Sequence, residues 1–478
     1  MSPCTCSDAL LHEDLITPLH HDGAPDEYVL TLPGQAPRTA TLHEASEAIA
    51  QHRPVTALNE ADQAPDGPRG VDRRRLLAGA GFGALLAPSA GVRYAFAADA
   101  ATGSAGREGS SELLVCIFLR GGMDSLSLLP PDDPAYRAAR PGIAVPIETS
   151  LDLGHPSMRL NPNAGPLLPM WNEGDLAFVV GAGRPAATRS HFDEMVAVEG
   201  AGAPANVRSG WLGRHLATSS SVQGTFRAIS WGTQSILSLA TTFSTLTMSS
   251  IDAFNLGVQP SEYRPDVLRL IDSMYRQNGG PAASAAEVVL DTVGQLGSVP
   301  PLSPENGAIY PVTPFGQGLA DTARLFRAGK GLEVACVDIP NWDMHLGLGT
   351  TDPTGWFSRN IADFAGGLAA FRTDLGALWS QVTVVAMSEF GRRVAQNGTL
   401  GCDHGTGGAV VVAGGNVNGA IYGSIPSLEP ANLYEGDIPT TTDYRRPLAE
   451  IVAKRLNNAA NLATVFPGFT RNDLGIVN

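Results

Sequence analysis

The chain has 478 residues, 43% hydrophobic and 6% aromatic, enough to bury a large core in one big domain or two modest ones, which excludes a fibrous or disordered protein. A formal net charge of −15, with no long Lys/Arg run, excludes a reader of nucleic-acid backbones and leaves room for an acidic site that attracts cations. Five cysteines (Cys4, Cys6, Cys116, Cys336 and Cys402) are too few and too scattered for a disulfide framework, and the last three read as core or near-site thiols.

Residues 1–71 are rich in Pro, Asp, Glu, His and Ala and are expected to form a disordered extension. Asp72-Arg73-Arg74-Arg75-Leu76-Leu77 then precedes a short run of small and apolar residues and an Ala95-Phe96-Ala97 site. A basic n-region, an apolar h-region too short to span a bilayer and a small-x-small site describe a signal peptide over 72–97, and the paired arginines resemble the twin-arginine type. The pattern predicts export by the twin-arginine machinery to a periplasmic or secreted location, with no membrane span in the mature chain. Its distance from residue 1 fits either a start codon placed upstream or a cytoplasmic pre-extension. Residues 98–111 are a linker by composition.

From residue 112 the chain alternates as a doubly wound α/β domain must. Apolar runs at 113–119, 175–180, 333–339 and 382–387 predict strands. Helices are expected at 166–173, 190–200, 265–277, 317–328, 361–379 and 444–456. The stretch 202–310 has polar β-type segments and a Gly/Pro/Ala-rich part, and is expected to be an inserted cap. A mostly parallel sheet with helices on both faces follows, within a domain over 112–478.

Each predicted strand ends in chemistry. The first runs into Arg120-Gly121-Gly122-Met123-Asp124 and the second leads to Arg189-Ser190-His191. The third ends in Trp342-Asp343-Met344-His345 and the fourth in Ser388-Glu389 with Arg392. Beyond a loop, Asp403-His404 precedes another apolar run. Singly, each is as consistent with a turn, a helix cap or a surface ion pair. Together, the carboxyl ends of the strands bring them to one edge of the sheet. Carboxylates crowded there repel one another unless a cation holds them, so one or two divalent ions are expected. Asp and Glu oxygens with His nitrogens suit Zn²⁺ or Mn²⁺ and tolerate Ca²⁺ or Mg²⁺.

The segments FLRGGMDSLSLLPP, RSHFDEM, SGWLGRHL, NWDMHLG, SEFGRRVAQNG and CDHGTGGAVVVAGGNVNGAIYG, spread over 112–425, resemble those of an exported bacterial family called domain of unknown function 1501. That family is similar in fold to the alkaline phosphatase and sulfatase superfamily. The resemblance implies metal-assisted hydrolysis of a phosphate or sulfate ester, of a small anionic molecule or a decorated saccharide. It implies metal ligands at Asp124, His191, Asp343, His345, Glu389, Asp403 and His404. Ser190, with Ser125 and Thr188 as neighbours, or a water would be the nucleophile, and Arg189 and Arg392 would neutralise the ester's oxygens. The chain departs from the superfamily pattern in having one residue between Asp343 and His345 where three are usual, and Ser388-Glu389 where Asp-His is usual. One of two metal positions is therefore expected to be altered or lost. The alternative is a non-catalytic, metal-containing binding protein on the same fold.

Overall fold

The computed structural model describes residues 112–203, 209–219, 226–240, 245–254, 264–275 and 290–478, with backbone stretches at 16–18, 27–30, 38–41 and 93–95. The chain divides into two units, Met1–Ala78 and Gly79–Asn478. In the first, where no fixed structure is expected, Ile16–Pro18, Glu27–Leu30 and Arg38–Thr41 pair as a small antiparallel sheet. Their β-branched and aromatic residues carry that preference. Apart from the Arg93–Ala95 strand, the expected signal segment and the linker lie outside the described residues. Among the described residues no helix is long and apolar enough to cross a membrane.

The second unit is built on one ten-stranded sheet. Its strands are β1 (Arg93–Ala95), β2 (Leu113–Leu119), β3 (Leu176–Gly183), β4 (Ala228–Trp231), β5 (Thr245–Met248), β6 (Val334–Ile339), β7 (Val382–Met387), β8 (Gly408–Gly414), β9 (Ile421–Gly423) and β10 (Thr442–Asp443). Their spatial order is β9-β3-β8-β7-β2-β6-β4-β5-β1, with β10 also beside β3. β2, β4, β5, β6 and β7 run parallel. β8 is antiparallel to both of its neighbours, so β3 regains the direction of the others. β4 and β5 come from the stretch expected to be an inserted cap, so the described part of that stretch extends the main sheet.

Every residue of β2 is buried, as a central strand covered on both faces requires. Its alternation divides the core. Leu113, Val115, Ile117 and Leu119 pack with residues that include Phe315, Leu319, Phe357 and Ile361, whereas Leu114, Cys116 and Phe118 join Val198, Trp211, Leu448 and Val452. The helices concerned are α1 (His191–Gly200), α2 (Trp211–Thr218), α3 (Pro314–Arg327), α4 (Trp356–Leu375) and α5 (Arg445–Lys454). α3 and α4 cover one face, and α1, α2 and α5 the other. The architecture is a doubly wound α/β fold with a mixed sheet.

One edge of this sheet collects the carboxyl ends of β2, β3, β6 and β7 and the amino end of β8. The pairs Ile339↔Leu119, Met387↔Phe118 and Ala182↔Gly408 fix that alignment. The antiparallel course of β8 explains why Asp403-His404, which precedes its strand, arrives where the other motifs follow theirs.

Candidate metal centre

Four loops deliver side chains to that edge, each for a local reason. After β2 the chain turns at Gly121 and Gly122, both with positive φ (116° and 65°). A Cβ on Gly121 would strike the Asp343 backbone nitrogen, so glycine permits the close approach of the loops after β2 and β6. After β6, the segment Trp342-Asp343-Met344-His345 alternates: Trp342 and Met344 are buried, while Asp343 and His345 face the opening. Residues two apart in extended chain point the same way, so a single intervening residue is enough to aim both at one place.

After β7, residues 391–393 run antiparallel to residues 403–406. The Arg393 N–H donates to Asp403 O (2.9 Å), Gly391 N–H to Thr406 O (3.0 Å) and Gly405 N–H to Gly391 O (2.8 Å). That ladder presents His404. On the fourth side, Ser190 caps α1 by accepting from the Asp193 N–H (3.5 Å), and His191 opens the helix. Arg189 before it is left-handed (φ 63°), as is Asn341 (φ 69°) before Trp342. Two non-glycine residues held in that region beside one cluster is backbone strain of the kind found at functional sites.

Three imidazoles and one carboxylate converge. His404 Nε2 lies 3.0 Å from His191 Nε2 and 2.9 Å from His345 Nε2. Asp343 Oδ1 is 3.0 Å from His345 Nε2 and 3.1 Å from His404 Nε2, and Oδ2 is 3.3 Å from His191 Nε2. Each ring is held from behind through Nδ1: His191 by Glu389 Oε1 (2.7 Å), His345 by Asp403 Oδ1 (3.1 Å) and His404 by the Arg189 carbonyl (2.9 Å). A carbonyl or an ionised carboxylate can only accept, which assigns the hydrogen of each neutral ring to Nδ1 and leaves Nε2 bare. The Arg392 guanidinium faces His345 Nε2 (3.4 Å), whereas the bare nitrogens of His191 and His404, at contact distance beside one carboxylate, repel unless a proton or a cation sits among them. Donors in a tetrahedral shell at 2.0–2.1 Å stand about 3.3 Å apart, close to the spacing seen. His191, Asp343 and His404 form a group able to hold a metal ion; His345 Nε2 touches His404 and Asp343 but also faces the Arg392 guanidinium (3.4 Å) and stands beside that group.

Electrostatics agree with the geometry. Burial pulls the His191 imidazole down, but its hydrogen bonds to Asp343 and Glu389 outweigh that and lift it to about 9. Burial would raise Asp343, yet hydrogen bonds from the three histidines and Arg392 hold it far below the usual carboxylate range. Glu389, also buried, is lowered chiefly by His191. Phe390 closes one side, its ring 4.8 Å from His191 and 4.9 Å from His404.

The other expected site residues take different places. Glu389 and Asp403 stand behind histidines, at the positions that orient metal ligands. Asp124 does not join the cluster: it is buried against Arg140, which donates to both of its oxygens (2.5 and 3.0 Å) and also to the carbonyls of Val394 and Arg393. Arg392 is buried and committed, donating to Asp343 Oδ1 (2.7 Å) and to the carbonyls of Gly121, Gly122, Trp342 and Cys402. Arg189 pairs with Asp437 and Glu435. Ser190 serves as the cap already described. Among the described residues, one such cluster is present.

Arg140 and Asn397 escaped the sequence reading. Arg140 sits in an unremarkable Ala-Arg-Pro-Gly context that carried no signal. Asn397, which donates to Asp403 Oδ1 (3.1 Å) and the His345 carbonyl (2.8 Å), lay inside the quoted VAQNG segment, where an Asn-Gly pair beside a candidate ligand was a usable one.

A family model described as "Protein of unknown function (DUF1501)" matches residues 183–436, more than half of the chain. No curated protein matches. Among solved structures, the C-terminal periplasmic domain of EcEptC from Escherichia coli, in complex with Zn, is similar at 10% identity. Its TM-score is 0.28, and the match covers 69% of this chain and 77% of that one. The lipoteichoic acid synthase LtaP from Listeria monocytogenes is similar at 7% identity with a TM-score of 0.25, over 70% of this chain and 76% of that one.

Proposed function

The chain belongs to the DUF1501 family, and from that premise we propose that it is an extracytoplasmic, metal-dependent hydrolase of phosphate or sulfate esters. One observation carries the reading: the Nε2 atoms of His191 and His404 meet Asp343, with His345 Nε2 against Asp343 and His404, and every ring is locked from behind. His191, His404 and Asp343 would hold the ion, with His345 beside them. Two imidazoles with one carboxylate favour Zn²⁺ over Mg²⁺ or Ca²⁺. A divalent cation bound there supplies a Lewis acid that polarises an ester oxygen and eases deprotonation of an attacking hydroxyl. Glu389, Asp403 and the Arg189 carbonyl keep the rings in their ligating tautomer. Ser190, one residue before His191, is the protein hydroxyl nearest in sequence to a ligand, and the amino end of α1 suits an anion. The pattern at 72–97 supports export by the twin-arginine route.

A second reading, a metal-holding binding protein without turnover, is favoured by one specific feature: both arginines expected to neutralise a substrate are already paired inside the protein.

Elemental analysis of the full chain and of His404→Ala, followed by assays with aryl phosphate and aryl sulfate, tests both. Metal near one equivalent that His404→Ala loses, with turnover of either ester, supports the hydrolase. Loss of turnover in Ser190→Ala assigns attack to the serine and its survival assigns attack to water. Metal without turnover supports the second reading, and no metal overturns both.

A further inference from the structure

His191 and His404 stand 213 residues apart in the chain, yet their Nε2 atoms are 3.0 Å apart, and one residue touches the placement of both. The Arg189 carbonyl takes the hydrogen of His404 Nδ1 (2.9 Å), and two residues on, past the Ser190 cap, His191 opens α1. The Arg189 backbone is left-handed (φ 63°), a conformation that is costly for a non-glycine residue and persists only where the surroundings enforce it. Its side chain supplies an anchor. Nε donates to Asp437 Oδ2 (2.8 Å), Nη2 lies 2.7 Å from the same oxygen, and Nη1 donates to Glu435 (3.1 Å).

Asp437 is fully buried. A buried ion pair contributes little stability over apolar packing, so one that is kept points to orientation. The chain around Asp437 is fixed tightly. Tyr434 N–H donates to Asp437 O (3.0 Å) and Asp437 N–H to Tyr434 O (2.9 Å), closing a two-residue turn at Glu435 and Gly436, both of positive φ (52° and 92°). This turn is fastened to both sides of the ladder that presents His404: Val394 N–H donates to Gly436 O (3.1 Å) and Gly407 N–H to Ile438 O (2.9 Å). Arg392 pairs with His404 in that ladder, whereas Arg393 pairs with Asp437. Neighbouring residues of extended chain face opposite ways, so Asp437 lies on the side of the ladder away from the metal centre. Arg189 thus bridges the two sides, its carbonyl on His404 and its guanidinium on Asp437.

We propose that Asp437 and Arg189 form one clamp, a positioning pair that sets the spacing of His191 and His404 for the ion. The proposal rests on the metal centre of the proposed function and not on hydrolysis. It gives Arg189 the task of spacing ligands in place of neutralising a substrate.

The test uses the full chain, stripped with a chelator and reloaded with Zn²⁺ or Co²⁺. Zn²⁺ affinity is read by competition with a chromogenic chelator, ligand geometry by the visible absorption of the Co²⁺ form, and the thermal midpoint is recorded for each variant. Asp437→Ala and Arg189→Ala should each weaken affinity by about 10-fold and shift the Co²⁺ bands. The double variant should lose no more than either single one, because all three remove the same clamp. Arg189→Lys keeps the Asp437 charge compensated but lacks the planar fork, and should weaken affinity by roughly three-fold. Glu435→Gln, at a side chain 63% exposed, should stay within about two-fold of wild type. A lower midpoint with unchanged affinity and bands would reduce the pair to a structural one and overturn the proposal, as would losses that add in the double variant. If the alanine variants do not fold, Arg189→Lys decides, and affinity and bands equal to wild type overturn the clamp. Any of these results leaves the proposed function standing, whereas a wild type that binds no metal overturns both.

Discussion

Arg392 is the most informative residue to perturb. Its guanidinium is nearly solvent-free and touches the loops after β2, β6 and β7 as well as the Cys402 carbonyl, and it is the cation paired with Asp343. Arg392→Met removes all of these donors, leaving several buried carbonyls short of a partner and Asp343 without its counter-charge. Asp343 is partly exposed, so the cost comes mainly from the buried carbonyls left without a donor, about 3–5 kcal/mol in all. For a domain of this size that lowers the thermal midpoint by about 5 °C. A cation bound to Asp343 restores part of the lost compensation, so the penalty should be largest in metal-free protein and smaller when Zn²⁺ is present. Arg392→Lys keeps the charge on three donors without the planar fork, and should recover less than half of the loss. The assay is denaturant unfolding of wild type, Arg392→Met, Asp343→Asn and the double variant, each with chelator and with Zn²⁺. A cost below about 1 kcal/mol, or one identical with and without metal, would refute the claim that Arg392 compensates and orients Asp343.

Glu389→Gln and Asp403→Asn should each weaken metal affinity by about 10- to 100-fold without unfolding the protein, read by competition with a chromogenic chelator; unchanged affinity would remove these carboxylates from any orienting role. Asp124→Asn should leave metal content near that of wild type while costing about 3–5 kcal/mol of stability through its buried pair with Arg140, and loss of metal from a folded variant would restore Asp124 as a ligand. A fourth prediction concerns acid. Burial would raise Glu333, but hydrogen bonds from His215 and Arg227 pull it from 4.5 to about 2. A depressed carboxylate contributes stability that is full above its unfolded pKa and fades as pH falls through the folded value. Wild type should therefore exceed Glu333→Gln by a margin that shrinks by about 3 kcal/mol between pH 5 and 2. A margin that does not change with pH would show that the carboxylate's charge is not what the pair stabilises.

Local pattern alone determined a good part of this protein. The runs 113–119 and 382–387 became β2 and β7 to the residue, because seven apolar residues closed by Arg-Gly-Gly, or five apolar residues and a threonine closed by Ser-Glu, have few other uses. Ser190 as a helix cap and the one-residue spacing of Asp343 and His345 were likewise written in neighbouring residues. The ligand set was legible as a pool of seven candidates at one sheet edge. Tertiary structure alone decided how the pool was sorted. The antiparallel course of β8 turned His404 toward the centre, and Arg140, 16 residues from Asp124, withdrew that carboxylate from it. His191 and Glu389 are 198 residues apart, and which carboxylate stands behind which ring depends on the register of strands that are distant in sequence. A side chain's type limits what it can bind, but its partner is set by where the sheet places the other charge, and no spacing along the chain records that.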